Sequence, residues 1–163
     1  MKILHITANY KGGAGIACRR LHKALLDIGF DSKLLVLDKV DEAMPNTYSI
    51  EEIISQKKGR LYFKLLKKTN LFLNKLPVSF NKQVFINGPS SLFRIDQLDI
   101  YKEADIIHLH WVPKILSWKH VFADKQKRFF WTLHDRSPLT GGNHVTSDYD
   151  YSKYEKLLQK NIS

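Results

Sequence analysis

Cysteine is almost missing from this sequence. Cys18 stands alone among 163 residues, so the chain can form neither an internal disulfide nor a cysteine-rich zinc site. A reducing cytoplasm is the default expectation for such a chain. Long apolar runs are missing too: nothing approaches the roughly 20 residues needed to span a bilayer. The opening Met1-Lys2-Ile3-Leu4-His5-Ile6 breaks off at Thr7 and Asn9, and so reads as a first strand, not a signal peptide. Acidic residues are scarce, 16 against 26 Lys plus Arg, which leaves a net charge of +10. Between Lys57 and Lys82 there are eight basic residues and no acidic one. Several signatures are also lacking. Without G-x-x-x-x-G-K-[ST] there is no Walker A loop, and without G-x-S-x-G there is no nucleophile elbow.

What is present is the composition of one ordinary globular domain, 44% hydrophobic and 26% charged, with no internal repeat and no domain boundary over residues 1–163. Residues 3–7 form a short apolar run followed by Gly12, Gly13 and Gly15. From Ile16 to Ile28, Ala17, Leu21, Ala24, Leu25 and Ile28 recur at helical spacing, with Gly29 as a stop. Leu34 to Leu37 is an uninterrupted strand-like run, as expected for a strand covered on both faces. The pattern returns with a strand over 105–111, a helix over 117–124 and a strand over 128–133. Strands alternating with helices predict an α/β fold, a Rossmann-like parallel sheet with helices on both faces. In such a sheet all carboxyl ends share one edge, where ligands bind. The segments Gly12 to Gly15, His110-Trp111 and His134-Asp135 each follow a predicted strand and should therefore meet at one cleft.

The middle is read differently. Leu61, Leu65, Leu66, Phe72, Leu73 and Leu76 recur at roughly helical intervals, so residues 57–82 predict one or two basic amphipathic helices ended by Pro77. Residues 83–87 suggest a short strand and Gly88-Pro89 a turn. A cationic helix with Leu and Phe opposite Lys suits an anionic membrane surface better than nucleic acid, for which no motif is present. A solvated helix packed on the domain is the plain alternative.

The chemistry the residues permit is anion binding first. A strand, glycine turn and helix can aim free N–H groups and the helix dipole at a phosphate, with Arg19 and Arg20 adding positive charge. The alternative is a tight turn that needs glycine for its positive φ. Asp38 lies twenty-three positions after Gly15, where a ribose-binding acid could sit, yet Gly12 to Cys18 does not contain G-x-G-x-x-G, so nicotinamide binding ranks low. A zinc site at His108, His110 and His134 is disfavoured, because no nearby carboxylate or thiol completes the set at usual spacing. His108 is expected to be buried and hydrogen-bonded. Trp111 can form an apolar wall for a sugar or base, or pack in the core. His134 can donate to a substrate hydroxyl or phosphate, and Asp135 can orient a polar ligand or take a proton, unless it merely caps a turn.

Four segments carry a resemblance to a known family. They are Met1 to Ile6; Gly12-Gly13-Ala14-Gly15-Ile16-Ala17 with Arg20-Leu21-His22-Lys23-Ala24-Leu25; Ala104 to Trp111; and Trp131-Thr132-Leu133-His134-Asp135 with Thr140-Gly141-Gly142. Together they resemble the N-terminal half of a family 4 retaining glycosyltransferase, the two-Rossmann-domain GT-B type. The resemblance covers residues 1–45 and 100–144. It implies transfer of a sugar from a nucleotide-sugar to a saccharide or lipid-linked acceptor, with no metal and no bound cofactor; an acceptor at the inner face of a membrane would suit the basic helix. It places Gly12, Gly13 and Gly15, with Trp111, Thr140 and Gly141, against the donor phosphate or substrate, and His134 with Asp135 at the reacting sugar. The family's C-terminal domain and its paired-glutamate motif are missing, which suggests a truncated chain with little activity alone. A non-catalytic interaction module using the basic helix, and a dinucleotide-binding protein, are the other readings.

Overall fold

The computed structural model describes residues 1–73 and 91–135. The first strand, β1 (Lys2–Thr7), is buried from Ile3 onward on both faces. It leads into helix α1 (Gly13–Asp27), then β2 (Asp31–Val36), β3 (Thr47–Ser49), α2 (Ile50–Lys58) and α3 (Arg60–Leu73). A 3-10 turn at Ile95–Gln97 and a short helix α4 (Asp99–Lys102) precede β4 (Ile106–Leu109); α5 (Trp118–Val121) and β5 (Arg128–Trp131) follow. The five strands form one sheet in the order β3-β2-β1-β4-β5, every pair parallel. This is the α/β, Rossmann-like architecture expected from the alternation of elements.

Strand residues alternate between two cores. Leu4, Ile6, Leu35, Ile107 and Leu109 pack with Ile50, Phe63, Ile95 and Tyr101 on the face covered by α2, α3 and α4. Leu34 and Val36 pack with Cys18 and Tyr10 on the face covered by α1. Helix ends are set by local chemistry. The chain leaves α1 through Gly29 at φ +84°, with Gly29 N–H donating to Leu26 O and Phe30 N–H to Leu25 O, the paired bonds that an L-residue at this φ would strain. Ser49 caps α2, its Oγ accepting from Glu52 N–H at 3.0 Å and donating to Glu52 Oε2. Gly59, at φ +88°, separates α2 from α3. Among the described residues no helix is long and apolar enough to cross a membrane.

Two helical faces differ from the periodicity reading. In α1 the buried residues are Gly15, Cys18 and His22; of the five apolar residues expected inside, Leu25 is half-buried and Ala17, Leu21, Ala24 and Ile28 are exposed. Helix phase is dictated here by a backbone approach at Gly15 and by two buried hydrogen bonds of His22, which outweigh the transfer of small apolar side chains. In α3, Phe63 and Asn70 are buried and Leu66 half-buried. Leu61, Leu65 and Phe72 lie on the opposite side, 71%, 57% and 61% exposed. Of the one or two amphipathic helices expected over 57–82, the described part is α3 preceded by the last turn of α2. Residues 74–82, the expected strand at 83–87 and the Gly88-Pro89 turn lie outside the described residues. The remaining elements are shorter than expected: β4 ends at Leu109, α5 covers only 118–121 and β5 ends at Trp131, so His110, Trp111 and His134 all sit past their strands.

Candidate functional site

The sheet order reverses direction between β1 and β4, since β2 and β3 lie to one side of β1 and β4 and β5 to the other. A crevice outside the carboxyl ends of the strands is expected at that point. Backbone bonds tie the two strand ends together there: Ala8 N–H donates to Trp111 O at 2.6 Å and His110 N–H to Ile6 O at 3.0 Å. Thr132 N–H donates to Leu109 O at 2.9 Å, which extends the rim to the end of β5. The glycine loop, His110 with Trp111, and His134 with Asp135 therefore occupy one edge, as the strand polarity requires.

The glycines do different work. None of Gly12, Gly13 and Gly15 has positive φ, so the turn reading fails; among the described residues the positive-φ glycines are Gly29 and Gly59. Gly15 is buried, and a Cβ there would lie 2.1 Å from Asn9 O and 2.5 Å from Tyr10 O. Its missing side chain lets α1 start directly against the loop. At Gly12 an added Cβ would come within 3.1 Å of Asn9 Nδ2, while Gly13 is exposed with nothing within 4 Å of such an atom. The Asn9 side chain folds back and its Oδ1 accepts from Lys11 N–H at 2.9 Å and Gly12 N–H at 3.2 Å. Ile16 N–H is the first to bond inside the helix, to Gly12 O. The amides of Gly13, Ala14 and Gly15 thus belong to the orphan first turn, with no acidic side chain and no side-chain cap there. Arg19 keeps its charge, with its guanidinium held 4.5 Å over the Tyr10 ring.

Beside this loop a file of histidines crosses the sheet on the α1 face. His5 on β1 is in register with His108 on β4, so both point to the same side, and His110 follows two residues on. Ring centroids lie 5.1 Å apart for His5 and His108 and 4.4 Å for His108 and His110. His110 Nδ1 is 3.2 Å from His134 Nε2, and His110 Nε2 is 3.4 Å from His5 Nδ1. His5 Nε2 is buried without a hydrogen-bond partner. His108 is half-buried and bonds Thr132 Oγ1 at 2.8 Å, so it is less enclosed than expected but hydrogen-bonded as expected. His22 meets Ser32 Oγ at 2.7 Å and Pro45 O at 2.9 Å. Since a carbonyl can only accept, His22 carries its proton on Nε2 and accepts from the serine at Nδ1.

Burial dominates the ionisation of this file. It pushes His5 and His110 down to about 3, with neighbouring imidazoles adding repulsion, and lowers His108 and His22 as well. The four rings are neutral at physiological pH, each with one lone pair and one N–H. Burial also pushes the Cys18 thiol up to about 12.

The structure sets Gly12, Gly13, His110, half-buried Trp111, exposed His134 and half-buried Asp135 on one sheet edge, with His110 and His134 in contact. Gly15 is buried against Asn9 and Tyr10. Thr140 and Gly141 lie outside the described residues. His5, Cys18 and His22 were not legible as site residues. Their one sequence signal is the Cys18 to His22 spacing of four, a shared helical face that a purely apolar count overlooks. None of the known family profiles, curated proteins or solved structures compared with the chain matches it.

Proposed function

We propose that this chain is the acceptor-side Rossmann domain of a retaining glycosyltransferase. It would transfer a sugar from a nucleotide-sugar to a saccharide or lipid-linked acceptor when a second, donor-binding domain completes the cleft. The observation that carries the reading is the arrangement at the switch point: an exposed imidazole, His134, stands on the same sheet edge as the uncapped first turn of α1. Stabilising a departing diphosphate is electrostatic work that amides and the helix dipole can do. His134 would hydrogen-bond the transferred sugar, Asp135 would orient it, and Trp111 would wall the site. The dinucleotide alternative is weakened because Asp38, the candidate ribose acid, is engaged by Lys67 Nζ at 2.5 Å.

Titration with UDP-, GDP- and TDP-sugars and with NAD tests this. Saturable nucleotide-sugar binding that weakens at least tenfold in Gly13→Val and in His134→Ala supports the reading. Binding of NAD in preference to every nucleotide-sugar refutes it.

A second function is favoured by the outer side of α3, where Leu61, Leu65 and Phe72 stand exposed beside Lys64 and Lys68. Lys57, Arg60 and Lys67 have carboxylate partners, whereas Lys58, Lys64 and Lys68 make no ion pair with a described residue. An apolar ridge flanked by unpaired cations suits the interface of an anionic bilayer. Salt-sensitive pelleting with phosphatidylglycerol vesicles, reduced in Leu65→Ser/Phe72→Ser, supports peripheral attachment; no pelleting at low salt refutes it.

A further inference from the structure

We propose that His5, Cys18 and His110 form a site for a single borderline-soft divalent metal ion of the zinc class. The three residues come from three elements, β1, α1 and the segment after β4, and all are buried. One donor atom from each lies within 4.8 Å of the other two. Two imidazoles and one thiolate are the donor set that such ions prefer over hard oxygen ligands. The spacing supports this. Two nitrogens bound at ~2.0–2.1 Å to one tetrahedral ion are roughly 3.3–3.4 Å apart, and His5 Nδ1 lies 3.4 Å from His110 Nε2. As a hydrogen bond that contact is long.

The surroundings are compatible with binding. The imidazoles are already neutral, so their lone pairs need no deprotonation. Cys18 is a free thiol that burial keeps protonated; on binding, its Sγ–H proton is released to solvent as the S–metal bond forms. The dication and thiolate leave one net positive charge in a buried place, a desolvation cost that the metal–ligand bonds must exceed. With Nε2 of His110 on the ion, its Nδ1–H is left to donate to His134 Nε2 at 3.2 Å. Metal-bound imidazoles commonly donate their other N–H in this way, here to a group at the rim. The ion would clamp α1 to the centre of the sheet and fix the exposed imidazole. This inference stands independently of the nucleotide-sugar reading.

Elemental analysis of the full 163-residue chain, purified without a histidine tag and equilibrated with equimolar Zn2+, tests the site. Co2+ titration provides a thiolate-to-metal charge-transfer band as a second readout. The expected result is one ion per chain, the band present, and a melting temperature that rises with free metal concentration. Cys18→Ser should abolish the band, and Cys18→Ser and His5→Gln should each weaken binding at least tenfold. If the wild-type chain shows no charge-transfer band, the proposal falls even should a variant fail to fold. Stoichiometric binding that survives both substitutions, as expected for ions on surface histidines, overturns it as well.

Discussion

Replacing Gly15 by alanine adds one methyl group at a place where the geometry leaves none. The new Cβ would sit 2.1 Å from Asn9 O and 2.5 Å from Tyr10 O, both backbone atoms that cannot rotate aside. Ordinary contact requires about 3.4 Å, so the first turn of α1 must retreat by about 1 Å from the loop. Cys18 and His22, both fully buried on the same helical face, move with it. Overpacking typically costs about 1–3 kcal/mol, and rigid obstructing atoms place this case at the upper end. With a urea m-value of about 1–3 kcal/mol/M, the unfolding midpoint should fall by about 1 M or more. Gly13→Ala is the internal control. It is helical, exposed and has nothing within 4 Å of the added atom, so the same methyl should raise stability by about 0.5–1 kcal/mol. Equal midpoints for the wild type and Gly15→Ala in urea melts followed by circular dichroism would refute the close-approach argument. A loss in Gly13→Ala as large as in Gly15→Ala would refute it equally.

Other perturbations have signs that the structure fixes. Asn70→Ala removes a buried amide that donates to Lys114 O at 2.8 Å and accepts from Leu92 N–H at 2.8 Å, and should cost about 2–3 kcal/mol in the same melts, while Thr69→Ala one position away should be near neutral. Ser49→Ala takes away the α2 cap and should cost about 1 kcal/mol, with Ser49→Thr, which keeps the hydroxyl that both accepts and donates, retaining most of the stability. Phe63→Ala empties a site that is 2% exposed and stacked on Phe93, and a loss of about 3–5 kcal/mol is expected; a loss below 1 kcal/mol would mean that α3 is not docked on the sheet as described.

Strand polarity was readable in the chain because β1, β2 and β4 are short apolar runs bounded by glycine or polar residues, and their parallel pairing follows from the intervening helices. With polarity fixed, the meeting of the glycine loop, His110 and His134 at one edge follows by topology. Helix phase was not readable. Apolar counting chose Ala17, Leu21, Ala24 and Ile28 for the inner face of α1, but alanine transfers little surface, and the phase was decided by Gly15 and by polar groups that satisfy one another, His22 with Ser32 and Pro45. The same blindness hid Phe63 and Asn70 in α3, and it hid the nearness of Cys18 to His5 and His110, residues 13 and 105 positions from His5. No local window contains such a cluster. β3 escaped notice because three residues, Thr47–Ser49, carry too little periodicity.

The outward stripe of α1 and the outward ridge of α3 lie on opposite layers of the sandwich, so the domain is greasy on two sides at once. Against association of these apolar sides stands mutual repulsion from a net charge of +10. Salt shortens the reach of that repulsion to roughly 10 Å at 0.1 M and roughly 3 Å at 1 M, and leaves the apolar attraction intact. Concentrated samples should therefore cluster as ionic strength rises, the reverse of a protein whose copies are held together by opposite charges.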